Sequence, residues 1–342
     1  MSRGRRRALL YGVGVALAAG LLFAGYGISV PPDAGARLNG AVFLAGLGQT
    51  DQALEACDKV LEEHPDNVDA RVFRATFLAM AGRHDEALKA YEDAIARTKD
   101  EGVRCDLVLD RASVLLRAGR TQEFKGERDR LAAMGAGYRL DVCEGLWAEK
   151  EGAWGAAVVA YGRAHGARPA DEQLKGRLYV ALLEQGREAL GAGLFDDARK
   201  AFDRAVALLP KAREGHLRAA ELCLAVRDAD GTVAHLREAG AKAKGSMPLV
   251  FRAATLLLET GRREEALDAL AAALVADRAG AVALLQNETA WTGELSRPDV
   301  RELLEAEQPS IRASLTADGG VIHDPRTSGE QGRVQKGSSP PR

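Results

Sequence analysis

The stretch Met80-Ala81-Gly82-Arg83-His84-Asp85-Glu86-Ala87 returns, little changed, as Glu259-Thr260-Gly261-Arg262-Arg263-Glu264-Glu265-Ala266. Variants of this phrase punctuate the chain about every 34 residues, the length of a helix–turn–helix unit. One such unit has an apolar face that it cannot bury alone, so copies must stack on their neighbours. The period therefore predicts an all-α solenoid rather than a globular domain with a single core.

Working outward from the turn, each unit keeps a fixed register. A small residue stands seven positions before the turn glycine: Ala41, Ala75, Ala112, Gly145, Gly186, Ala220 and Ala254. The turn position itself reads Gly48, Gly82, Gly119, Gly152, Gly193, Arg227 and Gly261. Glycine suits it because the left-handed backbone that ends a helix costs glycine little. Five residues on, the second helix carries Ala53, Ala87, Ala157, Ala198 and Ala266, with Phe124 and Thr232 in the two divergent units. Seven further stand Val60, Ala94, Leu131, Ala164, Ala205, Ala239 and Ala273. Small residues facing one another let two antiparallel helices approach closely. Tyr91, Tyr161 and Phe202 fill the space between pairs, and Pro65, Pro169 and Pro210 stop the second helix.

This pattern resembles the tetratricopeptide repeat family over about residues 34–280, in about seven units. The resemblance implies a right-handed superhelical solenoid whose first helices line a concave, protein-binding surface. The tryptophan usual near each unit's start is absent; Arg37, Arg71, Asp141, Leu182 and His216 stand there instead. Extra residues near Glu172–Leu178 lengthen a first helix or mark a hinge. In the sixth unit Arg227-Asp228-Ala229-Asp230-Gly231 replaces the glycine turn. Residues 281–317, with a helix start at Pro298-Asp299, read as a C-terminal helical cap. Residues 318–342, rich in Gly, Ser, Pro and charge, read as a disordered tail.

The first 30 residues carry a different message. Arg3, Arg5, Arg6 and Arg7 precede Ala8–Val30, 23 residues without a charge, ended by Pro31-Pro32-Asp33. A helix of that length covers about 34 Å, enough for the hydrocarbon core of a bilayer. The reading is a single-pass signal anchor over 8–30 in the inner (cytoplasmic) membrane. The basic residues 1–7 stay cytoplasmic and the repeats sit on the periplasmic or extracytoplasmic side. Ala34-Gly35-Ala36 leaves a cleaved, secreted form as the alternative. Gly12, Ala16, Gly20 and Ala24, four apart on one face, allow homodimerisation through the span.

Charge and chemistry narrow the function. The chain has 47 Lys plus Arg against 49 Asp plus Glu; the four N-terminal arginines removed, 43 face 49. No basic stripe for a phosphate backbone remains, which argues against nucleic acid. Cys57, Cys105, Cys143 and Cys223 show no paired spacing, and the six histidines have no partner at metal-ligand spacing. HExxH, GxSxG and GxxxxGK[ST] motifs do not occur. The expectation is a non-catalytic interaction scaffold with no cofactor and no metal.

Aligned on the turn, the position that the family often uses for ligand contact reads Leu38, Val72, Leu109, Val142, Leu183, Leu217 and Phe251. The row is apolar throughout, so the carboxylate-clamping chemistry of some family members is not expected. The adjoining positions Thr76, Ser113, Leu146, Arg187, Glu221 and Thr255 are mixed. An apolar floor with polar edges predicts an amphipathic helix or an extended apolar segment of another protein as the partner.

Overall fold

A computed structural model describes residues 32–240 and 246–306. The proposed span, its dimerisation stripe, the basic N-terminus and the tail lie outside the described residues. Among the described residues no helix is long and apolar enough to cross a membrane. They form fifteen α-helices and no strand. First and second helices alternate: α1 Pro32–Gly46, α2 Thr50–Glu63, α3 Val68–Met80, α4 His84–Arg97, α5 Glu101–Arg117, α6 Thr121–Ala133, α7 Tyr138–Glu151 and α8 Trp154–Ala167. There follow α9 Glu172–Gly191, α10 Phe195–Leu208, α11 Arg213–Ala225, α12 Ala229–Glu238, α13 Met247–Glu259, α14 Arg263–Asn287 and α15 Pro298–Glu305. The chain divides into two compact units, one ending at Glu188 and the other starting at Ala189.

The helices break where the register requires. Gly48, Gly82, Gly119, Gly152, Gly193 and Gly261 all take positive φ, between 72° and 81°. At each break the amide one residue beyond returns to a carbonyl five residues back, as in Arg83 N to Leu78 O at 2.9 Å and Arg262 N to Leu257 O at 2.9 Å. This is the closing bond of a Schellman turn. The divergent sixth unit makes the same turn, with Asp228 N to Cys223 O at 2.8 Å, but forces Arg227 to φ 59°. First helices open on side-chain caps at three starts or beside them. Asn67 accepts from Ala70 N, Asp100 from Val103 N, and Asp171 from Leu174 N.

Packing follows the same spacing. Ala41, Ala75, Ala112, Ala220 and Ala254 are wholly buried, as are Ala53, Ala87, Ala157, Ala198 and Ala266 on the second helices. Gly145 stands at the small position because Tyr161 of α8 occupies the space. A methyl group there would lie 2.4 Å from Tyr161 Cε1, and the ring is held by its hydroxyl on Glu149 Oε2 at 2.8 Å. In the third repeat Phe124, in place of alanine, is buried and stacks on Trp147 of α7 with centroids 5.5 Å apart. All four cysteines are free and buried.

The extra residues near position 172 give α9 one continuous helix of 20 residues. At the other end, α14 runs past the expected close of the array, with a kink at Asp277 (φ −158°, ψ 92°). A short 3₁₀ turn, Thr289–Trp291, and α15 then fold back on the repeats. Arg263 holds this segment through Glu294 at 2.7 Å and Asp299 at 2.8 Å.

Two substitutions test this account. Arg227→Gly relieves a left-handed arginine, a strain of about 1–2 kcal/mol, against loss of the exposed Arg227–Glu259 pair at 2.9 Å. Urea unfolding of the variant is expected to show a net gain of about 1 kcal/mol, because exposed pairs contribute little. Gly145→Ala is expected to cost about 1–3 kcal/mol by overpacking. Unchanged stability in that variant would contradict the close approach to Tyr161.

Candidate protein-binding face

The seven residues of the apolar row do not share one environment. Leu38, Val142, Leu183 and Phe251 are buried, with exposures of 2, 5, 8 and 2%. Val72, Leu109 and Leu217 are half-buried. Phe251 is covered by the chain itself: Trp291, fully buried, lies 6.4 Å from its ring and donates Nε1–H to Thr255 Oγ1 at 3.0 Å. Contrary to the expectation of an open row, the last repeat presents neither Phe251 nor Thr255 to a ligand as a bare surface.

In the first unit the open stripe takes in Val72 and Leu109 of the row together with residues outside it. On α5, Asp106, Leu109, Asp110, Ser113 and Arg117 follow the three- and four-residue spacing of one helix face and are all at least partly exposed. On α3 the matching residues are Asp69, Val72, Thr76 and Met80; on α7 they are Arg139, Leu146 and Glu149. Bonds across the helices tie these stripes together. Arg139 grips Asp106 with two bonds, Nε to Oδ1 at 2.5 Å and Nη2 to Oδ2 at 2.9 Å. The carboxylate holds the Arg139 guanidinium far above its ordinary pKa. Arg139 and Arg168 both lie over the Tyr138 ring, at 4.7 and 5.0 Å. Arg177 of α9 reaches Glu149 Oε2 at 3.8 Å and the Tyr161 ring at 5.9 Å.

Asp110 stands apart within this network. No described residue donates a hydrogen bond to it, since Arg139 is committed to Asp106 and the Tyr91 hydroxyl sits 3.0 Å from Thr76 Oγ1. Desolvation and the nearby Asp106 push its carboxyl up to about 7, with Arg117 and Arg177 pulling the other way. The buried Tyr91 hydroxyl is raised in turn, by burial first and by Asp110 second. Asp69 on α3 is likewise raised by burial. The face therefore offers apolar patches at Val72, Leu109 and Met80, hydroxyls at Thr76 and Ser113, and two carboxyls, Asp69 and Asp110, with no hydrogen-bond donor among the described residues. Those groups suit the side chains and backbone of a docked polypeptide.

The second unit has a different feature, invisible in the sequence. His216 and His235, 19 residues apart, bring their Nδ1 atoms to 3.3 Å, with His216 Nε2 2.9 Å from Pro210 O. Burial, then the neighbouring His216, lowers the His235 pKa. Among the described residues no three His, Cys, Asp or Glu side chains gather as a metal site. Asp106, Asp110, Arg139, Glu149 and Arg177 were not among the expected contact residues either. The four-residue spacing of Asp106 and Asp110 on the stripe of Leu109 and Ser113 was the available signal.

Two stretches of the chain match models of known repeats. Residues 44–105 and residues 183–246 each match a tetratricopeptide repeat model. No curated protein gives a match to the chain. Among solved structures, the chain is similar to PilW, a type IV pilus biogenesis factor, at 18% identity and TM-score 0.44, over 60% of this chain and 92% of that one. A tetratricopeptide repeat protein from Parabacteroides merdae matches at 13% identity and TM-score 0.41, over 80% of this chain and 98% of that one. YrrB, a repeat protein with an unusual peptide-binding site, matches at 17% identity and TM-score 0.32, over 52% and 88%.

Asp110 sets a pH dependence whose sign is fixed. The folded state keeps the Asp110 proton up to about pH 7, whereas an unfolded chain releases it near pH 4. Between those values the folded state binds more protons, so this group's contribution to stability falls as pH rises. Asp110→Asn removes that slope. Its stability relative to the parent is expected to rise between pH 4.5 and pH 7.5 in parallel urea titrations; a difference independent of pH would contradict the desolvated carboxyl.

Proposed function

We propose that this chain, which carries tetratricopeptide repeats, is a membrane-anchored scaffold that binds other proteins and performs no catalysis itself. Residues 8–30 are the anchor, a reading that rests on 23 uncharged residues behind a basic flank. The repeats then lie outside the cytoplasm, in the periplasm where the cell has one. The observation that carries the binding role is the open stripe of α3, α5 and α7. Half-buried Val72 and Leu109 alternate there with Thr76, Ser113 and the unpartnered Asp110. An enzyme would need nucleophile, base and electrophile held together around a reacting atom. The face instead has the mix of apolar floor and scattered polar groups that holds an amphipathic helix or an extended segment.

Within this reading Val72 and Leu109 are the members of the apolar row in the first unit that touch the partner, while Leu38, Val142 and Leu183 are buried.

Affinity capture from detergent-solubilised membranes tests the proposal, comparing the parent, Val72→Lys/Leu109→Lys, and a control, Gln52→Lys/Lys89→Glu, on exposed second-helix positions. Circular dichroism first establishes that all three fold. The expected result is a set of proteins captured by the parent and the control but reduced at least tenfold with the α3–α5 variant. Capture of the same set by all three would overturn the assignment of the face.

A further inference from the structure

The position two residues beyond the small one is buried in four of the repeats. Phe77 and Val114 stand there fully buried, and Leu222 and Leu256 are only 2 and 5% exposed. In the fourth repeat the residue is Trp147, which stacks on Phe124 of the preceding second helix. That stacking turns the fourth repeat's residue toward the repeat before it; in the fifth repeat the position is Glu188, which is exposed. In the first repeat it is Phe43, and Phe43 is 68% exposed. Leu47, one turn further, is 61% exposed. Ala36 and Gly40 extend the stripe backwards at four- and three-residue steps and are also exposed. Four residues at 36, 40, 43 and 47 thus form an uncharged stripe from the middle of α1 into the turn after it, and no described residue precedes that helix to cover it. Arg37, on the flank, is held by Glu63 at 2.6 Å.

We propose that this face of α1 lies on the lipid surface, so that the repeats are stacked away from the membrane with their first helix as the base. The inference rests on the anchor reading of residues 8–30. The uncharged segment ends at Val30 and α1 begins at Pro32, leaving Pro31 alone as the link. One residue reaches no more than about 3.6 Å, so α1 starts at the bilayer surface whenever 8–30 spans it. A helix held there with an apolar face turned outward buries that face at the headgroup–acyl boundary. Other occupants fit less well. A second copy would need roughly 800 Å² per partner for a stable interface, and this stripe has only two large side chains. Residues 8–30 themselves, uncharged on every side, would leave most of their surface in water if folded onto one helix face.

The test uses the full chain reconstituted in phosphatidylcholine vesicles. Leu47→Cys, or Glu55→Cys on the exposed side of α2 as a control, is labelled with an environment-sensitive maleimide fluorophore. The native cysteines are buried, and burial raises the thiols of Cys57, Cys143 and Cys223 to about 12, 12 and 11, so the folded protein leaves them unlabelled. Resistance to alkaline carbonate extraction reports the anchor separately. The expected result is an extraction-resistant protein whose label at 47 is quenched by headgroup-proximal nitroxide lipids at least threefold more than the label at 55. A resistant protein with the label at 47 in water, or shielded from water yet not quenched by lipid, would overturn the lipid contact while leaving the anchor standing. Extraction into the supernatant would overturn both.

Discussion

The contact on which the rest of the structure depends is the close crossing of the two helices in each repeat. It requires side chains no larger than a methyl group on the first helix and a left-handed residue seven positions later to reverse the chain. Where one requirement is strained, the neighbourhood compensates. Gly145 gives up even the methyl because Tyr161 fills the space, and Tyr161 is fixed in turn by Glu149. Arg227 takes the left-handed turn without being glycine, and the closing Asp228–Cys223 bond is still made. With the crossing fixed, each first helix must show one stripe to its neighbours and another to solvent. That second stripe is the one available for function.

Much of this was legible in the residues. Small, turn and second-helix positions could be placed by spacing because the backbone imposes them: a buried alanine or a left-handed glycine has few substitutes. The candidate face was harder to read. Val72 and Leu109 are half-buried, but Leu38, Val142 and Leu183 at the same register are buried, because exposure depends on how far the neighbouring side chains reach. Phe251 was missed as a covered residue since Trp291, which covers it, lies 40 positions away in a segment without the repeat's period. Asp110 carries its significance through what its neighbours do with their own hydrogen bonds, which spacing cannot express. The same holds for His216 and His235, whose nitrogens meet only because α11 and α12 pack.

Asp110 and His235 answer pH in opposite directions. Asp110 in the first unit favours its protonated form, so its contribution weakens as pH rises from about 4 to about 7. His235 in the second resists protonation. Its folded pKa lies below the unfolded value near 6.5, so its contribution is present above that value and is lost as pH falls. A molecule built from repeats can hold such opposed terms because stability is set repeat by repeat and interface by interface.

The central claim is that another protein docks on the first helices of the unit ending at Glu188. Hydrogen exchange on the full chain, alone and with a captured partner, tests it most directly. The account predicts slowed exchange in α3, α5 and α7, whose solvent-facing stripes carry Thr76, Asp110 and Leu146, with α2, α4, α6 and α8 unchanged. Protection confined to those second helices would contradict it.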